Sequence, residues 1–419
     1  MKYIPRAIEY YIKNTSQSFK AVLITGSRQV GKSTLLKMLY PDIKYRTFDD
    51  PLLLAGSKNE PGLFMKNNQP PVILDEVQYA TDLFSYIKME CDASEKKGLF
   101  FLTGSQQYRL MQNVSESLAG RIAILELSPL SLREIQRVRF NKHFVPTEKY
   151  LKARSTEIKH CDNIWKIIHR GCYPEIQNTD VDWQTFYSSY VQTYIERDVN
   201  ELINIKDKLK FIQFLTAVAA RSGQLLNYSA IAGELELTTA TIKQWISILE
   251  TSGLIFILQP YSNSALNRAI KTPKIYFRDT GLLCYLTKWT DAESLSVSAV
   301  AGNVFETYVV SEILKSYSNE GLDYNFYIRY YRGKDKIKRN PAEEGSGKES
   351  EIDLVIEENG TLYPIEIKLS ANPRLSMTDA FDVLEKAAGF KRGSGAVICM
   401  YDHLLPLGSK DVAIPVEYI

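Results

Sequence analysis

Through the first third of the chain, short apolar runs alternate with amphipathic stretches of helical period. The runs are Ala21 to Thr25, Lys44 to Phe48, Pro71 to Asp75, Leu99 to Thr103 and Ile122 to Leu127. Strands buried on both faces read as near-continuous apolar segments, so the alternation predicts an α/β unit with a parallel sheet and its ligand at the carboxyl ends of the strands. From about Ser131 the pattern turns helical, including Trp165 to Ile168 and Tyr187 to Leu202. Helices are then predicted over Lys208 to Ala220, over Ala230 to Leu235 with Ser229 as cap, and over Thr239 to Ser252, capped by Thr238 and ended by Gly253. Strands Leu254 to Leu258 and Lys274 to Phe277 follow, a succession that suggests a winged helix-turn-helix. After a Ser-rich segment the pattern is mixed α/β to the end. The expected units are 1–130, 131–207, 208–297 and 298–419, in keeping with 419 residues at about 150 per domain.

The first apolar run leads directly into chemistry. Gly26-Ser27-Arg28-Gln29-Val30-Gly31-Lys32-Ser33, followed by Thr34, has the full G-x-x-x-x-G-K-[ST] spacing. The two glycines let the chain fold back so that successive backbone N–H groups cradle phosphate. Lys32 is placed for the β- and γ-phosphates and Ser33 for Mg²⁺, with a helix N-terminus adding its positive end. The predicted ligand is ATP with Mg²⁺. Pro71 to Glu76 is an apolar strand ending in two acids, which suits Asp75 to hold Mg²⁺ through water and Glu76 to polarise the attacking water. Leu99 to Ser105 is another such strand with a polar tip, where Ser105 or Thr103 is placed as a γ-phosphate sensor; the alternative for Ser105 is a helix cap.

Composition adds limits. Hydrophobic residues make up 45% and charged residues 24%, ordinary for globular chains. No run of 18 apolar residues occurs and the N-terminus lacks a signal-peptide core, so a cytoplasmic protein without a membrane partner is expected. Five scattered cysteines without a C-x-x-C pair fit reduced, structural thiols. The net charge of +2 leaves any DNA binding to local patches. Thr241, Lys243, Gln244 and Ser247 on the third helix of the winged unit, and Arg268, Lys271, Lys274 and Arg278 on or near its wing, are the candidates, with protein contact as the alternative.

The set Ile4-Pro5-Arg6, Gly26 to Lys32, Asp75-Glu76-Val77-Gln78, Thr103-Gly104-Ser105, Leu118-Ala119-Gly120-Arg121 and Tyr194 to Val199 resembles AAA-type ATPases of the additional-strand class. More narrowly it is similar to a prokaryotic family pairing that core with a C-terminal domain of unknown function. The resemblance implies a sheet of order 5-1-4-3-2, with the Thr103 strand between the Gly26 and Asp75 strands. It also implies an arginine before the fifth strand that completes a neighbouring subunit's site; Arg121 occupies that place and Arg197 is the runner-up. A homo-oligomer is the corresponding expectation.

Near the C-terminus, Glu351 to Ile356 and Thr361 to Leu369 alternate like strands about Asn359-Gly360, a strong hairpin signal. That register pairs Leu354 with Ile365, Asp353 with Glu366, and Glu351 with Lys368. Asp353, Glu366 and Lys368 should share one face while Ile352, Leu354, Ile365 and Ile367 pack on the other. Opposed carboxylates call for a positive partner, and a second divalent cation with Lys368 activating water is the D-x(n)-E-x-K nuclease arrangement. The segment resembles the restriction-endonuclease-like α/β fold, which also uses an upstream acid, and Glu306 fits. The alternative is a salt-bridged hairpin face. A basic stretch from Lys334 to Arg339 could meet a phosphate backbone. The resulting expectation is an Mg²⁺-dependent ATPase acting on or near DNA, with an ATP-gated nuclease, or a nucleotide-switched module recognising protein or DNA, as alternatives.

Overall fold

The computed structural model describes residues 3–104, 117–194, 199, 207–261, 272–333 and 350–419. Strands β1 (Ala21–Thr25), β2 (Lys44–Thr47), β3 (Val72–Asp75), β4 (Phe100–Thr103) and β5 (Ile122–Glu126) form one sheet in the order β2-β3-β4-β1-β5, with every pairing parallel. This is the expected order read from its other edge, and β4 lies between β1 and β3. Every residue of β1, β3 and β4 is buried, which is why these runs carry almost no polar side chain before their last residue. Thr25, Asp75 and Thr103 thus end neighbouring strands at the same edge. A Cβ on Gly26, whose φ is +138°, would stand 2.2 Å from the Leu127 carbonyl oxygen, so only glycine lets the chain leave β1 beside β5.

A helical region follows, opened by a capping box in which Ser131 and Glu134 exchange hydrogen bonds. Its Trp183–Tyr194 helix buries Phe186, Tyr187, Tyr190, Val191 and Tyr194, and continues the helical stretch expected from Tyr187 as far as the described residues go. Next come helices Lys208–Ala219, Tyr228–Glu234 and Thr239–Thr251 with a small antiparallel sheet of β6 (Gln224–Leu225), β7 (Ile255–Leu258) and β8 (Lys274–Phe277), ordered β6-β8-β7. Thr238 caps its helix as expected. The expected Ser229 cap is corrected: Asn227 accepts from Ala230 N and Ser229 donates to Asn227, because the helix begins two residues earlier than the apolar period indicated.

The last region places helix Ala301–Ser318 against a second sheet. Strands β9 (Ile328–Gly333), β10 (Ser350–Glu358), β11 (Thr361–Lys368), β12 (Lys391–Arg392), β13 (Gly395–Cys399), β14 (Leu405–Leu407) and β15 (Asp411–Pro415) run in the order β14-β15-β13-β11-β10-β9, with β12 beside β11. Asn359 and Gly360 have φ of 50° and 73°, the two positive values a tight hairpin needs, and Leu354 pairs with Ile365 as predicted. One part of the register reading fails. Pairing with β9 shifts between Ile352 and Val355, a bulge that turns Ile352 to pack with Val355 and Leu362, away from Leu354, Ile365 and Ile367.

Buried polar contacts join the regions. Arg278, just beyond β8, pairs with Glu126 of β5 at 2.7 Å. Glu312 accepts from Leu132 N at 2.8 Å and Lys315 donates to the Leu130 carbonyl at 3.0 Å. Among the described residues no helix is long and apolar enough to cross a membrane.

Candidate functional site

At the C-terminal hairpin, the structure brings Asp353, Glu366, Lys368 and Glu306 together. Lys368 Nζ lies 2.5 Å from Glu366 Oε1 and 3.9 Å from Asp353 Oδ2, and Asp353 Oδ2 also accepts from Ile367 N at 2.8 Å. Tyr276 donates to Glu306 Oε1 at 2.6 Å. The residue that sequence reasoning misplaced is Lys274. Expected on an exposed wing, it is buried, with Nζ 2.7 Å from Glu351, 3.3 Å from Glu306 and 3.7 Å from Asp353. Arg278 is partly buried and paired with Glu126, not free for DNA, and Arg268 and Lys271 lie outside the described residues. Nothing local in the sequence marks Lys274 as the partner of acids more than thirty residues away.

Burial shapes the titration of this cluster. It pushes Glu306 up to about 7 and Glu366 up to about 8, the Asp353 charge adding to both. For Lys274 burial acts to lower the pKa, but the charges of Glu306, Asp353 and Glu351 outweigh it and hold the ammonium above its ordinary value. Lys368 follows the same logic with Asp353 and Glu366. Glu366 Oε2 is buried without a hydrogen-bond partner. Among the described residues no group of three or more His, Cys, Asp or Glu side chains is disposed to hold a metal ion; the positive charge among the acids comes from two lysines.

The second assembly is the phosphate loop. Gly31, φ +93°, precedes helix Lys32–Leu39, and Arg6 braces the loop from behind: its Nη1 donates to Val30 O at 2.8 Å, Nη2 to Ser128 O at 2.7 Å and Nε to Glu134 at 2.9 Å. Lys32 Nζ donates to the carbonyls of Gly26 and Ser27, each at 2.9 Å. Ser33 Oγ donates to Asp75 Oδ1 at 2.6 Å and Tyr45 OH to Asp75 Oδ2 at 2.5 Å, while Thr103 Oγ1 donates to Asp75 and accepts from Glu76 N. A cleft of about 590 Å³ is lined by Arg28, Gln29, Gly31 to Thr34, Asp49, Glu76, Tyr79, Tyr190 and Thr193. The loop and Glu76 therefore share one cavity with Tyr190 and Thr193 of the Trp183–Tyr194 helix, and Asp75 stands behind it, tied to the loop by its hydrogen bond from Ser33.

Residues 18–136 match an AAA domain. Two further stretches match domains of unknown function, residues 161–293 the one designated DUF8612 and residues 301–419 the one designated DUF4143. Uncharacterized proteins of Mycobacterium tuberculosis and Mycobacterium bovis are each 26% identical over 402 residues, covering 95% of this chain and 80% of theirs. One of Methanocaldococcus jannaschii is 23% identical over 305 residues, 64% of this chain and 62% of that one. Among solved structures, the Walker-type ATPase of Pyrococcus abyssi is similar with a TM-score of 0.36 and 16% identity, over 67% of this chain and 94% of that one. A signal transduction ATPase with a tetratricopeptide repeat sensor from Pyrococcus horikoshii gives 0.26 and 12%, over 76% and 47%.

Residues 18–136 thus combine a match to an AAA domain with a complete phosphate loop, and the remaining expected residues can be placed around it. Arg121 lies at the start of β5, the end of the sheet opposite the phosphate loop, and pairs with Asp92 through Nε at 2.5 Å and Nη2 at 3.1 Å. It is out of reach of its own chain's cleft. Ser105, Arg197 and the Lys334 to Arg339 stretch lie outside the described residues. Sequence reasoning named Arg6 only as part of the resemblance and gave neither it nor Tyr45 a role, since their partners are 24 to 128 positions away.

Proposed function

We propose that the chain is an Mg²⁺-dependent ATP hydrolase that acts as an assembly of copies and uses its nucleotide cycle to control a C-terminal half that engages DNA. The observation that carries the ATPase reading is the convergence of Lys32, Ser33 and Glu76 on one cleft, with Asp75 hydrogen-bonded to Ser33. The Ser33 hydroxyl and Asp75 carboxylate, 2.6 Å apart, are adjacent hard oxygens of the kind Mg²⁺ takes together with phosphate oxygens. When bound, that ion would offset charge on the β- and γ-phosphates. The loop's N–H groups and Lys32 bind and orient the phosphates, Glu76 draws the proton of the attacking water, and Thr103 keeps both acids at the strand ends. Arg121, placed away from its own cleft, is assigned to a neighbour's. Support for DNA is the exposed Lys243, Gln244 and Ser247 on the helix of a winged-helix-like unit.

Two readings of the C-terminal acids differ in chemistry. In a restriction-endonuclease-like, ATP-gated nuclease, Asp353, Glu366 and Glu306 would hold a second divalent cation and Lys368 would activate water. The burial of Lys274 among those acids favours instead a nucleotide-switched recognition module whose C-terminal cluster is an electrostatic junction between units. ATP turnover and DNA nicking by the full chain, with Mg²⁺, Mn²⁺ or chelator, test both. Turnover is expected to need the divalent ion and to change with DNA, without strand cleavage. Turnover that survives chelation contradicts the ATPase reading, and nicking abolished by Asp353→Ala replaces the module with the nuclease.

A further inference from the structure

Glu76 has φ 58° and ψ 47°, a left-handed conformation that is costly for a non-glycine residue. Such a conformation persists only where surrounding contacts enforce it. Its N–H donates to Thr103 Oγ1 at 3.1 Å, and Gln78 Nε2 donates to its Oε2. The short 3-10 turn Val77–Tyr79 brings Gln78 back over the carboxylate. Gln78 Oε1 is buried without a hydrogen-bond partner, and Gln78 is not among the side chains lining the cleft. The direction of the amide is therefore set by Glu76 alone: turned over, the amide would press its oxygen against a carboxylate. Leaving a buried amide oxygen unpaired is costly, and what the arrangement secures in return is a Glu76 carboxyl fixed in place.

We propose that Gln78 is a positioning residue for ATP hydrolysis, holding one oxygen of Glu76 so that the other is presented to the cleft as the base. The proposal rests on the reading of Glu76 as that base. In the step it serves, the water oxygen bonds to the γ-phosphorus, the bond to the β–γ bridging oxygen breaks with its electron pair leaving on ADP, and the water proton passes to Glu76. Gln78 touches neither water nor nucleotide. It removes rotamer freedom that an exposed glutamate would otherwise have to lose during the reaction.

Steady-state ATP hydrolysis and nucleotide affinity of the full chain test the proposal in Gln78→Ala, Gln78→Glu and Glu76→Gln. Gln78→Ala should lower kcat roughly 10- to 100-fold while nucleotide affinity stays within about twofold. Gln78→Glu, close in volume, sets a second carboxylate against the first, so the pair shares a proton and the acid limb of the pH–rate profile should move to higher pH. In a Glu76→Gln background Gln78→Ala should slow turnover no further. Wild-type kcat in Gln78→Ala, or affinity lost in step with turnover, overturns the proposal. Should Gln78→Ala fail to fold, an unmoved acid limb in Gln78→Glu overturns it equally. Normal turnover in Glu76→Gln would bring down the base reading itself, whereas slow Glu76→Gln beside normal Gln78→Ala removes only the role of Gln78.

Discussion

Lys274→Met removes a single positive charge from the junction between β8 and the C-terminal acids while keeping most of the side chain's apolar stem. Lys274 is 4% exposed, and it faces Glu306 at 14%, Asp353 at 10% and Glu351 at 39% exposure. Taking one partner from a buried ion pair costs about 3–5 kcal/mol, because the charge left behind is neither hydrated nor paired. The cost should depend on pH. Burial raises Glu306 from 4.5 to about 7, so the stability this group contributes is fully present below about 4.5 and is lost as pH rises through about 7. Without Lys274 its folded pKa climbs further and the window of loss widens. At pH 5 Glu306 is neutral in the variant, Asp353 keeps Lys368 and the Ile367 N–H, and the main loss is the half-exposed Glu351 pair, worth about 0–1 kcal/mol. Urea unfolding followed by tryptophan fluorescence at pH 5 and pH 8 measures the difference. The variant should lose about 3–5 kcal/mol at pH 8, far less at pH 5, and Glu306→Gln in the same chain should restore much of it. A loss equal at the two pH values, or under about 1 kcal/mol at pH 8, would refute the reasoning.

Arg6→Ala should destabilise the chain by about 3–5 kcal/mol and weaken nucleotide binding, since it strands Glu134 and frees the Val30 carbonyl; Arg6→Lys lacks the planar fork and should not rescue it. Thermal melts and nucleotide titration check both, and wild-type values in either variant count against the brace. Gly26→Ala forces a methyl to within 2.2 Å of the Leu127 carbonyl oxygen and should abolish nucleotide binding, so normal binding by titration would show that the loop has another path. Arg121→Ala should leave affinity and melting temperature near wild type but lower turnover, and wild-type specific activity should rise with protein concentration. A concentration-independent rate from a proven monomer would remove the trans role.

The parallel sheet was legible because its three inner strands, buried throughout, cannot hide their apolar runs, and each of those ended on the polar residue that marks its carboxyl edge, whereas the edge strands β2 and β5 are partly exposed. The phosphate loop and the acids at Asp75 and Glu76 were legible from spacing for the same reason. The Asn359-Gly360 turn gave the hairpin register over Leu354 to Glu358. What escaped was set by contacts between distant segments. The bulge that turns Ile352 follows from pairing with β9, a strand the alternation of β10 says nothing about. Lys274 and Arg278 read as a basic wing because charge on a short strand is ordinarily solvated; here acids from Glu126 and from Glu306 to Asp353 draw both inward. Ser229 lost its expected cap to Asn227, an equally good capping residue two positions earlier.

The account stands on the cleft lined by Lys32, Ser33 and Glu76, with Asp75 held to Ser33, and ATP binding and turnover measured side by side in Lys32→Ala and Glu76→Gln reach it most directly. Lys32→Ala should lose most of its affinity for ATP, and Glu76→Gln should bind ATP with Mg²⁺ near wild-type affinity yet hydrolyse it about 100- to 10,000-fold more slowly. ATP bound normally by Lys32→Ala, or turned over at the wild-type rate by Glu76→Gln, would contradict it.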